Sequence, residues 1–309
     1  MTTVLCSRWK LGLLLLASCG RVNFDPRNDG APGGSDSDGT TGDLGCWPAW
    51  KSGSPTVSAP RPIDQLNTPQ YEGDPYLAAD GQTFYLLRAT TTFDIFVTRR
   101  EERGMPFDPP ALDTALTSTA DDGRVSLSGD GLLAAISKRQ PTNYDIWLAD
   151  RVVPTDPFSN PSQALVATLI TPDAQHDPEL SRDGNRLYYA TGPTVMNRVM
   201  VAERPDRSAP FGMPVPVANL LTAATTADAT LSPDELVIVY SATITTEPFD
   251  LYFATRTAIT EPFGPSQPVP SVNLPAIDDG DAALSPDGCE LFFSTSRTGQ
   301  RDIYIADVQ

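Results

Sequence analysis

The chain has 309 residues, with 22 Lys plus Arg against 39 Asp plus Glu, and its net charge of -17 argues against a nucleic-acid or anionic-lipid surface partner. Hydrophobic residues at 40% suffice for a packed core, so the chain is not wholly disordered. Thirty prolines and 22 glycines disfavour long helices, and a single histidine excludes a multi-histidine metal site.

Residues 1–18 read as an export signal. Arg8 and Lys10 precede the apolar run Leu11 to Ala17, which is far shorter than the ~20 residues that cross a bilayer as a helix. Leu16-Ala17-Ser18-Cys19 resembles a bacterial lipobox, and that resemblance implies cleavage before Cys19 and lipidation of its sulfur. Several acyl chains, at ~0.8 kcal/mol per buried CH₂, anchor stably. Gly20, rather than Asp, follows the cysteine; by resemblance to Gram-negative lipoproteins this implies the outer membrane and leaves the leaflet open. Residues 19–45 then mix Asp36, Asp38 and Asp43 with glycine, serine and threonine. Without an apolar period they read as a flexible acidic tether.

The remaining span, 46–309, repeats one unit. Leu77-Ala-Ala-Asp80-Gly81, Leu127-Ser-Gly-Asp130-Gly131, Leu180-Ser-Arg-Asp183-Gly184, Leu231-Ser-Pro-Asp234-Glu235 and Leu284-Ser-Pro-Asp287-Gly288 recur every 50 to 53 residues. Asp-Gly between alternating apolar runs is a hairpin signal, because glycine takes the positive φ such turns need. A third run follows at Phe93-Asp94, Tyr144-Asp145, Phe249-Asp250 and Arg301-Asp302, with Asn197-Arg198 replacing it in the third copy. Arg99, Arg151, Arg204 and Arg256 close the first four copies, each ahead of a Pro-Phe pair. An outer strand is expected to end at Leu116, Leu169 and Leu220, fourteen residues before the next repeat aspartate, with Leu274 one residue out of phase. The fifth unit stops at its third strand, so Thr56 to Leu66 is expected to supply its missing outer strand and close the ring.

Four strands per ~50-residue unit predict an all-β, five-bladed β-propeller, with six blades as the alternative. The Leu-Ser-Pro-Asp-Gly turn, aromatic strand and Asp-Ile-Tyr sequence resemble the WD-like propeller repeats of the TolB type over residues 54–309. That resemblance implies a protein partner in the cell envelope.

The residues six before each repeat aspartate are Asp74, Arg124, Asp177, Asp228 and Asp281. If the first strand is innermost, symmetry places all five near one mouth of the channel. There they could bind a cation, a sugar or a basic peptide end. They could equally cap turns as Asx motifs, and recurrence at one phase favours that structural role. The repeat aspartates themselves are turn residues. His176 lacks a Gly-x-Ser-x-Gly companion and reads as a loop histidine, not a triad member.

With Cys6 lost and Cys19 lipidated, Cys46 and Cys289 remain, and an exported compartment permits a disulfide between them that would lock the ring. No Cys-x-x-Cys exists, so neither zinc nor another cofactor is expected. The functional expectation is a non-catalytic, lipid-anchored envelope scaffold that binds protein. The alternative is a lectin or glycoside hydrolase that acts on polysaccharide through the mouth carboxylates. Deep carboxylates beside a groove would favour the alternative, and carboxylates consumed by backbone amides beneath a flat face would favour the scaffold.

Overall fold

The computed structural model describes residues 45–193, 196–221, 225–244 and 248–309. The signal segment 1–18, Cys19 and all but the last residue of the tether lie outside the described residues.

A short helix α1 (Trp47–Lys51) and a short strand β1 (Arg61–Pro62) precede the first blade. That blade holds β2 (Glu72–Leu77), β3 (Thr83–Ala89), β4 (Phe93–Arg99) and β5 (Ala111–Leu112). The second is β6 (Asp122–Leu127), β7 (Leu133–Arg139), β8 (Tyr144–Asp150) and β9 (Ser159–Ser162). The third is β10 (Ala174–Leu180), β11 (Arg186–Gly192), β12 (Arg198–Glu203) and β13 (Val215–Pro216). The fourth is β14 (Thr225–Leu231), β15 (Val237–Thr243), β16 (Asp250–Thr255) and β17 (Gln267–Pro268). In the fifth, β18 (Asp279–Leu284), β19 (Glu290–Thr295) and β20 (Asp302–Asp307) are completed on the outside by β1, giving the order β1-β20-β19-β18. The protein is a five-bladed, all-β propeller of antiparallel four-stranded sheets.

The first strands β2, β6, β10, β14 and β18 each touch the next around a closed ring, so they line the axis. The second strands carry the apolar runs that pack between blades; β15 and β19 are buried along their whole length. Closure of the ring has three parts. Arg61 pairs with Ile305, Val57 bridges Val308, and a disulfide joins Cys46 to Cys289 with 4.9 Å between their Cα atoms. Trp47 Nε1 and Trp50 Nε1 donate to the carbonyls of Pro286 and Gly288 at 3.0 and 2.9 Å. Gly288 has φ +71°, and a Cβ there would lie 2.7 Å from the Trp47 ring, so the turn and the indole both require glycine.

Two sequence expectations are corrected. The outer strands stop short of the leucines: Leu116, Leu169 and Leu220 follow them as buried plugs, while Leu274 is 43% exposed and nearby Val272 is buried in the core instead. A strand of two to four residues has already left the sheet, and the leucine is held by packing instead. Secondly, the first-blade counterpart of Arg151, Arg204 and Arg256 is Arg100, not Arg99, as its stacking on the Pro-Phe ring shows. Arg100 lies 5.1 Å from the Phe107 centroid, matching Arg151 on Phe158, Arg204 on Phe211 and Arg256 on Phe263 at 4.1 to 4.4 Å. Each pair is seven residues apart, a spacing Arg99 breaks by one. Arg100 also makes a buried two-pronged ion pair to Glu290 of the fifth blade, with Nη1 2.7 Å from Oε1.

Candidate functional site at the channel mouth

Every inner strand carries a β-bulge at the same place. The register shifts between Gly73 and Tyr76, Asp122 and Val125, His176 and Glu179, Ala227 and Thr230, and Gly280 and Ala283. The bulged residue is Asp74, Asp177, Asp228 or Asp281 in four blades, with φ between 47° and 55°. Aspartate tolerates that left-handed region better than most residues, and a bulge re-aims its side chain. In the second blade the position is Arg124, which has no positive φ.

The bulges bring together the residues that symmetry grouped. Nearest carboxylate oxygens of Asp74, Asp177 and Asp228 lie within 4.8 Å of one another. Asp281 sits beside them but is engaged elsewhere: its Oδ2 accepts from Arg301 Nη1 at 2.7 Å and from the Ser294 hydroxyl. The turn-capping role favoured by the repeat phase is not what the structure shows. Among the described residues, the backbone amide that reaches this trio is Asp281 N, 3.4 Å from Asp228 Oδ2 and contributed by the neighbouring blade. Capping falls instead to the aspartates six residues on. Asp80 Oδ1 accepts from Gln82 N and Thr83 N at 2.9 and 2.8 Å, and Asp183 Oδ1 from Asn185 N and Ser181 Oγ at 2.9 and 2.6 Å.

Arg124 does not join the ring of carboxylates as an equal. It is fully buried, with Nη2 3.0 Å from the Ala282 carbonyl and 3.4 Å from Glu179 Oε2. Glu179, two residues beyond Asp177 on β10, accepts from Thr230 Oγ1 at 3.3 Å. Burial pushes its carboxyl up to about 7, against the pull of Arg124 and Thr230.

His176 is not in a loop. It lies in β10 paired with Ala190, its Nδ1 is 2.5 Å from Asp177 Oδ2, and Asn197 Nδ2 is 2.9 Å from its Nε2. Both ring nitrogens are thereby occupied, leaving neither for a serine nucleophile. Burial pulls the His176 pKa down, and the Asp177 carboxylate more than reverses it. Burial alone would raise Asp177; the His176 partner and a hydrogen bond from Asp228 outweigh it and hold Asp177 at about 2. Asp74 and Asp228 go the other way. Burial raises both well above the usual carboxylate range, reinforced by Asp281 and Asp177. The trio thus sets one carboxyl that holds its proton weakly beside two that hold theirs more tightly.

Beside the trio lies a cavity of about 580 Å³ over the first three blades. Tyr71, Phe93 and Tyr144 line it together with Asp74, His176 and Asp177. Tyr71 meets Phe93 edge-on at 5.3 Å, and Arg139 stacks on Tyr144 at 5.4 Å. Sequence reasoning missed these walls. Phe93 and Tyr144 begin the third strands of their blades, and Asn197, Phe249 and Arg301 stand one residue before theirs. A position that changes from copy to copy while its neighbours repeat was the available signal.

No family model matches the chain, and no curated protein does. Among solved structures, it is similar to a thermostable family-43 glycoside hydrolase at 17% identity and a TM-score of 0.54, covering 80% of this chain and 92% of that one. It is similar to the endo-arabinase of Bacteroides thetaiotaomicron at 13% identity and 0.56, covering 82% and 98%. TolB from Acinetobacter baumannii is similar at 15% and 0.51, covering 79% of this chain and 57% of that one. These likenesses establish a shared propeller fold.

Proposed function

We propose that the protein is a saccharide-binding propeller of the cell envelope, tethered through lipid on Cys19 and taking its ligand at the channel mouth. The observation that carries this reading is the pairing of a carboxyl trio not engaged by its own turn amides with an aromatic-walled cavity. A sugar presents hydroxyls that donate to carboxylates and accept from carboxylic acids, and it also presents apolar C–H faces that cover aromatic rings. A concave mouth suits a small polyol better than the flat face of a protein scaffold. An envelope protein partner of the kind the TolB resemblance implies would dock elsewhere on the propeller.

A specific observation favours hydrolysis as the second reading. Asp74 and Asp177 both line the cavity, and their surroundings push their proton affinities in opposite directions, as an acid and a base require. Binding stands first because the trio converges on a point, with nearest oxygens within 4.8 Å. Glycoside cleavage needs two carboxyls flanking a bond, about 5 to 9.5 Å apart. The fold shared with a glycoside hydrolase and an endo-arabinase is compatible with either reading.

Electrophoresis through gels cast with soluble polysaccharides tests the proposal. The protein should be retarded by at least one of them, and Asp177→Asn should restore its mobility. Release of reducing ends would promote the hydrolase reading, and unchanged mobility in every gel would defeat both.

A further inference from the structure

Three carboxyl groups whose oxygens approach within 4.8 Å form a donor set of the kind that holds a hard divalent cation. The second blade supplies a different solution. At the position where the other four blades place an aspartate, Arg124 enters the channel and is 0% exposed. Its Nη2 reaches Glu179 and the Ala282 carbonyl, while its Nε and Nη1 have no acceptor among the described residues. A fully buried guanidinium with two donors unused is held there by charge more than by a complete set of hydrogen bonds. The charges concerned surround it. Burial pulls the Arg124 pKa down, and Glu179, Asp228, Asp74 and Asp177 more than reverse that pull. An arginine stays charged at any working pH, and these are the carboxyl groups that bear on this one, Glu179 by direct contact and the trio through space. The other titratable groups around the trio are His176, which contacts Asp177, and Asp281, which acts on Asp74 and Asp228 and is itself paired with Arg301.

We infer that Arg124 is the built-in counter-ion of the mouth, occupying the electrostatic role of a divalent cation and excluding one from the Asp74, Asp177 and Asp228 trio. A fifth aspartate at this position would have completed an acidic ring, whereas the arginine keeps the trio metal-free. This inference is independent of the saccharide reading, because it concerns the mouth without ligand.

Titration calorimetry with calcium alone tests it, in the absence of any saccharide. The wild-type protein should show no saturable heat, and Arg124→Met should bind calcium at least tenfold more tightly. Adding Asp177→Asn to that variant should abolish the gain. Arg124→Gln, which keeps the shape and polar edge without the charge, serves if the methionine variant does not fold, and should gain calcium in the same way. Arg124→Lys, which keeps the charge, should not. Calcium binding by the wild-type protein as tight as by Arg124→Met or Arg124→Gln would overturn the inference. So would a folded neutral variant that binds no calcium.

Discussion

Two sets of aspartates, four in the bulges of the first strands and five in the turns that follow those strands, sit six residues apart and meet opposite fates. Asp80, Asp130, Asp183, Asp234 and Asp287 stand in the turn between the first and second strands, partly exposed, where backbone amides and serine or threonine hydroxyls surround them. Burial alone would raise their pKa values, but those hydrogen bonds outweigh it and hold all five below the ordinary range. Asp74 and Asp228 stand at the axis, where burial and neighbouring carboxylates raise them. Recurrence alone therefore does not reveal a residue's role. What distinguishes the two sets is whether the local backbone supplies donors: a turn does, and a bulge facing the channel does not.

That contrast needs a scale, which a paired buried carboxylate provides. Arg100→Met would strand Glu290, 2% exposed, between the first and fifth blades. The expected loss, from chemical denaturation, is about 3–5 kcal/mol. A loss under ~1 kcal/mol would show that the ring seam is held by packing and the disulfide instead.

Asp177→Asn comes next. It removes the negative charge that His176 and Asp228 hydrogen-bond, and should weaken saccharide binding by roughly 10- to 100-fold, as expected for a charge-assisted hydrogen bond worth about 1.5–3 kcal/mol. Unchanged affinity in this variant would erase the functional side of the comparison.

Asp183→Ala should do the reverse. Losing the bonds from Asn185 N and Ser181 Oγ should cost about 1 kcal/mol of stability and leave ligand binding intact. A binding defect in this variant would mean that the outer turns communicate with the mouth.

The smallest effect is one of pH. Glu179 rises from 4.5 to about 7 on folding, so the folded state holds a proton that the unfolded chain has released across that window. Its contribution to stability is fully present below about 4.5 and is lost as pH rises through about 7. Asp177, lowered from 3.8 to about 2, acts oppositely, and its contribution fades only as pH falls through that acid range. Thermal melts from pH 5 to 8 should therefore decline less steeply in Glu179→Gln than in the wild-type protein. Equal slopes would remove Glu179 as the titrating group.

How much of this was legible in sequence follows from the same physics. The blade count, the closing role of the N-terminal strand and the grouping of Asp74, Asp177 and Asp228 could be read because hairpin turns and strand alternation are local and repeat at ~50 residues. Arg99 was aligned with Arg151, Arg204 and Arg256 in place of Arg100 because two arginines adjoin, and the seven-residue spacing to Phe107 separates them. The bulges were invisible, since a register shift depends on the neighbouring strand, and without them the axis aspartates look like ordinary turn caps. Tyr71, Phe93 and Tyr144 come from three different strand starts or loops and meet only in the folded ring. His176 was discounted for want of a serine, although its partner Asp177 was the next residue in the chain.

The central claim is that the axial carboxyls bind a saccharide while the turn carboxylates only build the blade. A glycan array probed in parallel with the wild-type protein, Asp177→Asn and Asp183→Asn tests it most directly. The account predicts a defined glycan signal for the wild-type protein, retained by Asp183→Asn and lost by Asp177→Asn. Equal signals from the two variants, or no glycan bound by the wild-type protein, would contradict it.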